Sequence, residues 1–193
     1  MTLLDKALHF AIDCHSGQVR KTQDTPYILH PIEVAAIVGT MTNDMDTLCA
    51  AVLHDTIEDT DTTFEDLKKE FGHRVALLVM TETENKRKDL PAEQTWHLRK
   101  EETLTMLSTT TDMAVKMMWM GDKLSNMRSF YRSYQKEGDG LWNHFHQKDI
   151  NEQAWYYRTV AECLKDLKEY EAYKEYVRLT NIVFQSVEGG IEI

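Results

Sequence analysis

The sequence predicts an all-α fold in a single domain, and three observations carry that reading. Apolar residues recur at i, i+3, i+4 spacing in one segment after another, and no segment alternates in the manner of a strand. Only 8 Gly and 3 Pro occur in 193 residues, too few for a hairpin-rich protein. A hydrophobic fraction of 42% in a chain of one-domain length is enough for a sizeable core.

The elements follow in order. Residues 2–16 set Leu4, Leu8, Ala11 and Ile12 at helical spacing, and Gly17 stops them. Gln18–His30, with Thr25-Pro26, reads as an ordered loop. Pro31 suits the first turn of a second helix that runs through Val34, Ala35 and Val38 to Gly39. A third helix spans about Asp46–Ile57. Thr62-Thr63-Phe64-Glu65-Asp66 is a capping start for a short helix ending at Phe71-Gly72, and His73–Thr83 is another apolar helix. Residues 84–94 are polar, contain Pro91 and read as a mobile loop. Helices are expected over Thr95–Ser108, Met113–Tyr134 and Asn151–Tyr176, with Gly138-Asp139-Gly140 breaking the chain before a short Leu141–Phe145 turn.

Charge narrows the function. The chain carries 22 Lys+Arg against 32 Asp+Glu, a formal −10, which is the wrong sign for a general nucleic-acid or anionic-membrane binder. No stretch resembles a signal peptide or a membrane span. Cys14, Cys49 and Cys163 are odd in number and far apart, so a disulfide framework is not expected and a cytoplasmic setting fits. A small phosphate ester stays open as a ligand, because a metal and a few local cations can invert the field inside one pocket.

Three anomalies carry chemistry. On the third helix Leu48, Ala51 and Val52 define an apolar face whose next position is Asp55, and a carboxylate aimed into a core is costly unless paired or coordinated. His54 sits beside it, with Glu58 and Asp59 one turn on. Such a cluster repels itself unless a cation sits among it; the bland alternative is a solvated acidic helix end. His30 precedes Pro31, which disfavours helical backbone and predicts an extended pivot, flanked by Ile28, Leu29 and Ile32. Finally Asp122, Ser125, Asn126 and Ser129 form a polar stripe at i, i+3, i+4, i+7, following the apolar run Val115–Met120. Together His30, His54, Asp55 and Asp122 offer two imidazoles and two carboxylates, a mixed set suited to Mn²⁺, Fe²⁺, Zn²⁺ or Co²⁺.

The order His30, then His54-Asp55, then Asp122 resembles the signature of the HD superfamily of metal-dependent phosphohydrolases. Four motifs in order sharpen it. Arg20-Lys21 before Pro26-Tyr27-Ile28-Leu29-His30-Pro31, the run Leu53–Thr60, Phe71-Gly72 and Asp122–Arg128 are similar to the hydrolase domain of RelA/SpoT proteins over about residues 5–130. With no synthetase domain appended, the chain resembles a stand-alone small alarmone hydrolase: one HD domain over 1–193, with a C-terminal helical extension at about 131–185. The resemblance implies that His30, His54, Asp55 and Asp122 hold one Mn²⁺-like ion and that Glu58 and Asp59 position or deprotonate the attacking water. It places Arg20, Lys21, Thr22, Asn126 and Ser129 at the substrate. The implied reaction removes the 3′-diphosphate of guanosine tetra- or pentaphosphate as pyrophosphate. Two other readings stand beside it: an HD phosphohydrolase for another nucleotide or dinucleotide phosphate, and a non-catalytic alarmone-binding module.

One departure concerns the loop, where Asp24 stands in place of the family's usual glycine. Residues 131–160, with Trp142, His144, His146, Trp155, Tyr156 and Tyr157, read either as a pocket cover or homodimer face, or as aromatic core with surface histidines. Lys86–Lys88 and Arg99-Lys100 read either as cations steering an anion or as a solvated face.

Overall fold

A computed structural model of the chain describes residues 1–20, 25–87 and 89–192. The expectations placed on Lys21, Thr22, Asp24 and Lys88 lie outside the described residues. The helices are α1 (Leu3–Cys14), α2 (Leu29–Val38), α3 (Met45–Leu53), α4 (Thr56–Asp59), α5 (Phe64–Phe71), α6 (His73–Glu82), α7 (Ala92–Thr109), α8 (Met113–Glu137), α9 (Ile150–Cys163) and α10 (Glu171–Val183), with 3₁₀ turns at Gly138–His144 and Lys165–Leu167. Among the described residues an isolated Val19–Pro26 bridge is the nearest approach to a strand, so the fold is all-α as the sequence predicts. Among the described residues no helix is long and apolar enough to cross a membrane.

The chain packs as two compact units, residues 1–83 with 112–125, and residues 84–111 with 126 onward. The sequence expectation is one domain over 1–193 with a helical extension from about 131; of the two units described here, the first ends at Ser125 and residues 84–111 belong to the second.

In the first unit α3 is the centre. Cys49 to Leu53 are fully buried, and α1, α2 and α6 pack on this helix while α5 packs on α6. Helix starts are written locally: Thr2 and Asp5 cap α1 reciprocally, Thr63 and Asp66 do the same for α5, and the Asp44 carboxylate accepts from the Thr47 N–H. Gly121 on α8 explains how close α8 comes to α2. A Cβ there would sit 2.7 Å from Val38 Cγ2 and 3.1 Å from the Val34 carbonyl oxygen.

Two local expectations are corrected. His30 is helical rather than extended, because α2 begins at Leu29; the His30 N–H donates to the Tyr27 carbonyl, and Pro31 occupies the first turn, where a missing N–H leaves no gap. The third helix does not run on to Ile57. It ends at Leu53, and α4 restarts at Thr56. Side chains at the break take the place of the ladder: His54 Nδ1 donates to the Ala51 carbonyl at 2.9 Å and Thr56 Oγ1 to the Leu53 carbonyl at 2.7 Å.

In the second unit α7 packs on α9 and α9 on α10. The expected helix Asn151–Tyr176 divides into α9 and α10 around the Lys165–Leu167 turn, with no Gly or Pro to announce it; the break buries Leu164 and Leu167 together. Trp142, Tyr156 and Tyr157 are buried, and Phe130, Trp142, Tyr157 and Phe184 form one aromatic cluster, while His144 and His146 are exposed. Aromatic core packing therefore describes these residues. Arg99 and Lys100 are both bound to the Glu84 carboxylate, at 2.8 and 2.6 Å, and so do not form a freely solvated face. Helix α7 starts at Ala92, so the expected loop at 84–94 ends sooner.

Candidate metal centre

The first unit brings His30 from α2, His54 and Asp55 from the α3–α4 break, and Asp122 from α8 to one place. His30 Nε2 lies 3.1 Å from Asp122 Oδ1 and 3.6 Å from Asp55 Oδ2; His54 Nε2 lies 2.9 Å from Asp55 Oδ2 and 3.9 Å from Asp122 Oδ1. The two rings meet edge to face with centroids 5.1 Å apart. His30, His54 and Asp122 are all buried, and each offers one donor atom within 4.8 Å of the others.

This donor set fits a divalent cation. Bonds of about 2.1 Å put neighbouring donors about 3.0 Å apart at right angles and about 3.4 Å apart in a tetrahedron, and the four separations above straddle those values. The orientation of His54 points the same way. A carbonyl only accepts, so Nδ1 carries the proton facing Ala51 and Nε2 is directed at the carboxylates. That Nε2 is buried and, despite its proximity to Asp55, makes no aligned hydrogen bond. The carboxylates around Nε2 can take up its proton but cannot meet its lone pair; once that proton is displaced, a cation would satisfy the atom.

The electrostatics are those of opposite charges crowded out of water. Burial favours neutral His54, but Asp55 beside it outweighs burial and lifts the ring's pKa to about 10. Burial alone would raise both carboxyls; His54 overrides it at Asp55, and Lys123 with His30 overrides it at Asp122, so both lie well below the usual carboxylate range. Burial lowers His30 against the pull of Asp122. Lys123 Nζ holds Asp122 Oδ2 at 2.6 Å while resting 4.5 Å from the Trp119 ring centre, which turns Oδ1 toward the histidines.

Sequence reasoning gave no individual role to four residues around the site. Tyr27 donates to Asp55 Oδ2 at 2.5 Å, and burial, helped by Asp55, raises its pKa far enough to keep it a donor. Ser125 and Glu33 join His30 in a hydrogen-bonded chain, His30 Nδ1 to Ser125 Oγ at 2.9 Å and Ser125 Oγ to Glu33 Oε2 at 2.8 Å. Glu82 is a buried carboxyl whose Oε1 has no hydrogen-bond partner among the described residues; burial pushes its pKa up to about 8. Its signal was present in the sequence, since Glu82 follows Leu78 and Val79 at i+4 and i+3 on the buried face of α6.

The remaining expected residues are placed as follows. Glu58 and Asp59 lie on α4, one turn beyond His54 and Asp55, Glu58 half-buried and Asp59 exposed. Asp59 Oδ2 is 3.4 Å from the Tyr27 hydroxyl, and its carbonyl accepts from Gln18 Nε2 at 3.1 Å. The Arg20 guanidinium lies 5.8 Å from the Tyr27 ring centre, and its backbone N–H donates to the Thr25 carbonyl. Asn126 and Ser129 belong to the second unit, on α8, half-buried and buried respectively.

Comparison with known proteins gives this arrangement a context. A family model described as HD domain matches residues 7–149. A guanosine-3′,5′-bis(diphosphate) 3′-pyrophosphohydrolase of Aquifex aeolicus is 39% identical over 128 residues, 66% of this chain and 18% of that protein. A GTP pyrophosphokinase rsh of Brucella ovis is 40% identical over 130 residues, 66% of this chain and 17% of that one. The chain thus spans less than a fifth of the length of these curated relatives. Among solved structures, one described as a metazoan ortholog of SpoT that hydrolyzes ppGpp superposes with a TM-score of 0.71 at 26% identity, covering 97% of both chains. The lmo0812 protein of Listeria monocytogenes EGD-e superposes with a TM-score of 0.70 at 30% identity, covering 81% of this chain and 99% of that one.

Proposed function

The chain belongs to the HD-domain family, and from that premise we propose that it is a divalent-metal phosphohydrolase removing the 3′-diphosphate of guanosine 3′,5′-bis(diphosphate)-like nucleotides as pyrophosphate. The observation that carries the reading is the meeting of two imidazole Nε2 atoms with two aspartates from distant parts of the chain. The relatives and the SpoT-like structural neighbour support the substrate class, through what their names say they act on.

His30, His54, Asp55 and Asp122 are the residues assigned to the ion, Mn²⁺ by preference. When bound, such an ion supplies Lewis acidity, acidifying water and neutralising charge on phosphoryl oxygens. The chain's own residues do the rest. Tyr27 fixes the Asp55 carboxylate. Glu58 accepts a proton from the water that attacks the phosphorus, and Asp59 orients that water. The bond from phosphorus to the ribose 3′-oxygen breaks, pyrophosphate departs, and the 3′-oxygen gains a proton. Arg20 suits bidentate contact with a phosphate and Lys21 a point contact, while Thr22, Asn126 and Ser129 are assigned to the nucleoside. The three cysteines are free thiols, which suits a reducing cytoplasm.

The test is a nucleotide panel incubated with Mn²⁺-loaded protein, with each released phosphate species identified. Pyrophosphate from the guanosine bis(diphosphate) is the expected product. Orthophosphate from another nucleotide would reassign the substrate, and tight binding without turnover would make the protein a sensor.

A further inference from the structure

We infer that Glu33 and Ser125 are positioning residues that select the His30 tautomer able to ligate a metal through Nε2. The inference deepens the metal-dependent reading above and rests on it. Neither residue belongs to the donor set, yet together they decide what that set offers.

The hydrogens available at the three groups fix the direction of the bonds. A serine hydroxyl has one hydrogen, and a carboxylate has none to give. Ser125 Oγ lies 2.8 Å from Glu33 Oε2 and 2.9 Å from His30 Nδ1. If the hydroxyl donated to His30 Nδ1, Ser125 and Glu33 would face each other as two acceptors at hydrogen-bond distance. The contact is satisfied when Ser125 donates to Glu33 and accepts from His30 Nδ1–H. With Nδ1–H held in this way, Nε2, the atom 3.1 Å from Asp122 Oδ1 and 3.6 Å from Asp55 Oδ2, donates to those carboxylates or, once a metal displaces that proton, presents its lone pair. At His54 a backbone carbonyl does the equivalent job, holding Nδ1–H from Ala51. At His30 the same outcome is set by a carboxylate acting through a hydroxyl.

Placement supports the pairing. Glu33 sits three residues after His30 on α2, and Ser125 three residues after Asp122 on α8, so each pair shares a helix face. Gly121 admits the close approach of α2 and α8 across which the chain of bonds runs.

The test uses the full chain and Mn²⁺ itself. Free Mn²⁺ is followed by electron paramagnetic resonance, and the protonation of each His30 nitrogen by ¹⁵N NMR of metal-free protein at pH 8. Ser125→Ala and Glu33→Ala should each weaken Mn²⁺ binding by about 10- to 100-fold, the usual range for partners that orient a histidine ligand. Ser125→Thr, which keeps the hydroxyl, should bind Mn²⁺ within about threefold of wild type. The decisive readout is the double variant: because Glu33 acts through Ser125, adding Glu33→Ala to Ser125→Ala should cost less than about twofold more. A full additional loss would show that Glu33 acts by charge alone and overturn the inference. So would a wild-type His30 protonated on Nε2 rather than Nδ1. That NMR result needs no metal, so wild-type protein that failed to bind Mn²⁺ would sink the metal-dependent reading while the tautomer remained decided.

Discussion

The Tyr27 hydroxyl and Asp55 Oδ2 are joined by a 2.5 Å hydrogen bond that crosses from the loop before α2 to the break after α3. Hydrogen bonds to a charged group contribute about 1.5–3 kcal/mol, and this one also fixes which way the carboxylate faces. Tyr27→Phe keeps the ring, which packs against His15 and His30, and removes only the donor. Mn²⁺ affinity should fall by about tenfold with an unchanged circular-dichroism spectrum. Affinity equal to wild type would mean that Asp55 is held by its other neighbours.

Gly121 makes a second prediction, about packing rather than chemistry. An added Cβ must push on Val38 Cγ2 at 2.7 Å and on the Val34 backbone oxygen at 3.1 Å, and the backbone atom cannot rotate away. Gly121→Ala should therefore destabilise the fold by about 1–3 kcal/mol despite the better helix propensity of alanine. It should also weaken Mn²⁺ binding, since Asp122 is displaced with the helix. Urea melts read the first effect and metal titration the second; a variant as stable as wild type would show that α2 and α8 yield easily.

Much of this site was legible in the sequence because its residues violate local pattern. Asp55 interrupts an apolar face and Asp122 closes an apolar run. Residues whose roles depend on tertiary hydrogen bonding were not legible in the same way. Ser125 showed only as part of a polar stripe, and Glu33 is an ordinary glutamate in the second turn of a helix. Proline rules misjudged His30, because the helix start depends on turn hydrogen bonds at Tyr27 and Pro26 rather than on Pro31 alone. The break at His54-Asp55 and the division of α9 from α10 carry no Gly or Pro. They arise where side-chain bonds or buried leucines make a discontinuity stable, and both are properties of packing.

Glu58 is the residue assigned to proton transfer, and its isostere separates that task from metal binding. Glu58→Gln should keep Mn²⁺ affinity within about threefold and lower kcat by about 10²- to 10⁴-fold, the usual worth of a general base. Single-turnover measurement of pyrophosphate release distinguishes slowed chemistry from slowed product release. An unchanged kcat would place the base elsewhere, with Asp59→Asn the next variant to measure.

Glu82 should make stability fall as pH rises. Its folded pKa of about 8 exceeds the ordinary 4.5, so between those values the folded chain holds a proton that the unfolded chain has released. By linkage, its contribution to stability declines through that window and levels off above it. Glu82→Gln, which cannot ionise, should flatten the metal-free stability profile between pH 5 and 8. Parallel wild-type and variant profiles would show that Glu82 titrates normally.

Metal removal should be visible in the melting temperature as well as in activity. A ligand that binds only the folded state at 100 times its Kd stabilises by about 2.7 kcal/mol. For a chain of this length that corresponds to a rise of roughly 5–10 °C. Wild-type protein should show that rise with Mn²⁺ and lose it on chelation. Asp55→Ala and Asp122→Ala should melt at one temperature with or without Mn²⁺, because either change removes a charged donor from a site whose remaining atoms cannot replace it. A variant that retained the full Mn²⁺ shift would take its residue out of the coordination shell. Calorimetric melts over a series of Mn²⁺ concentrations supply both the shift and the apparent Kd.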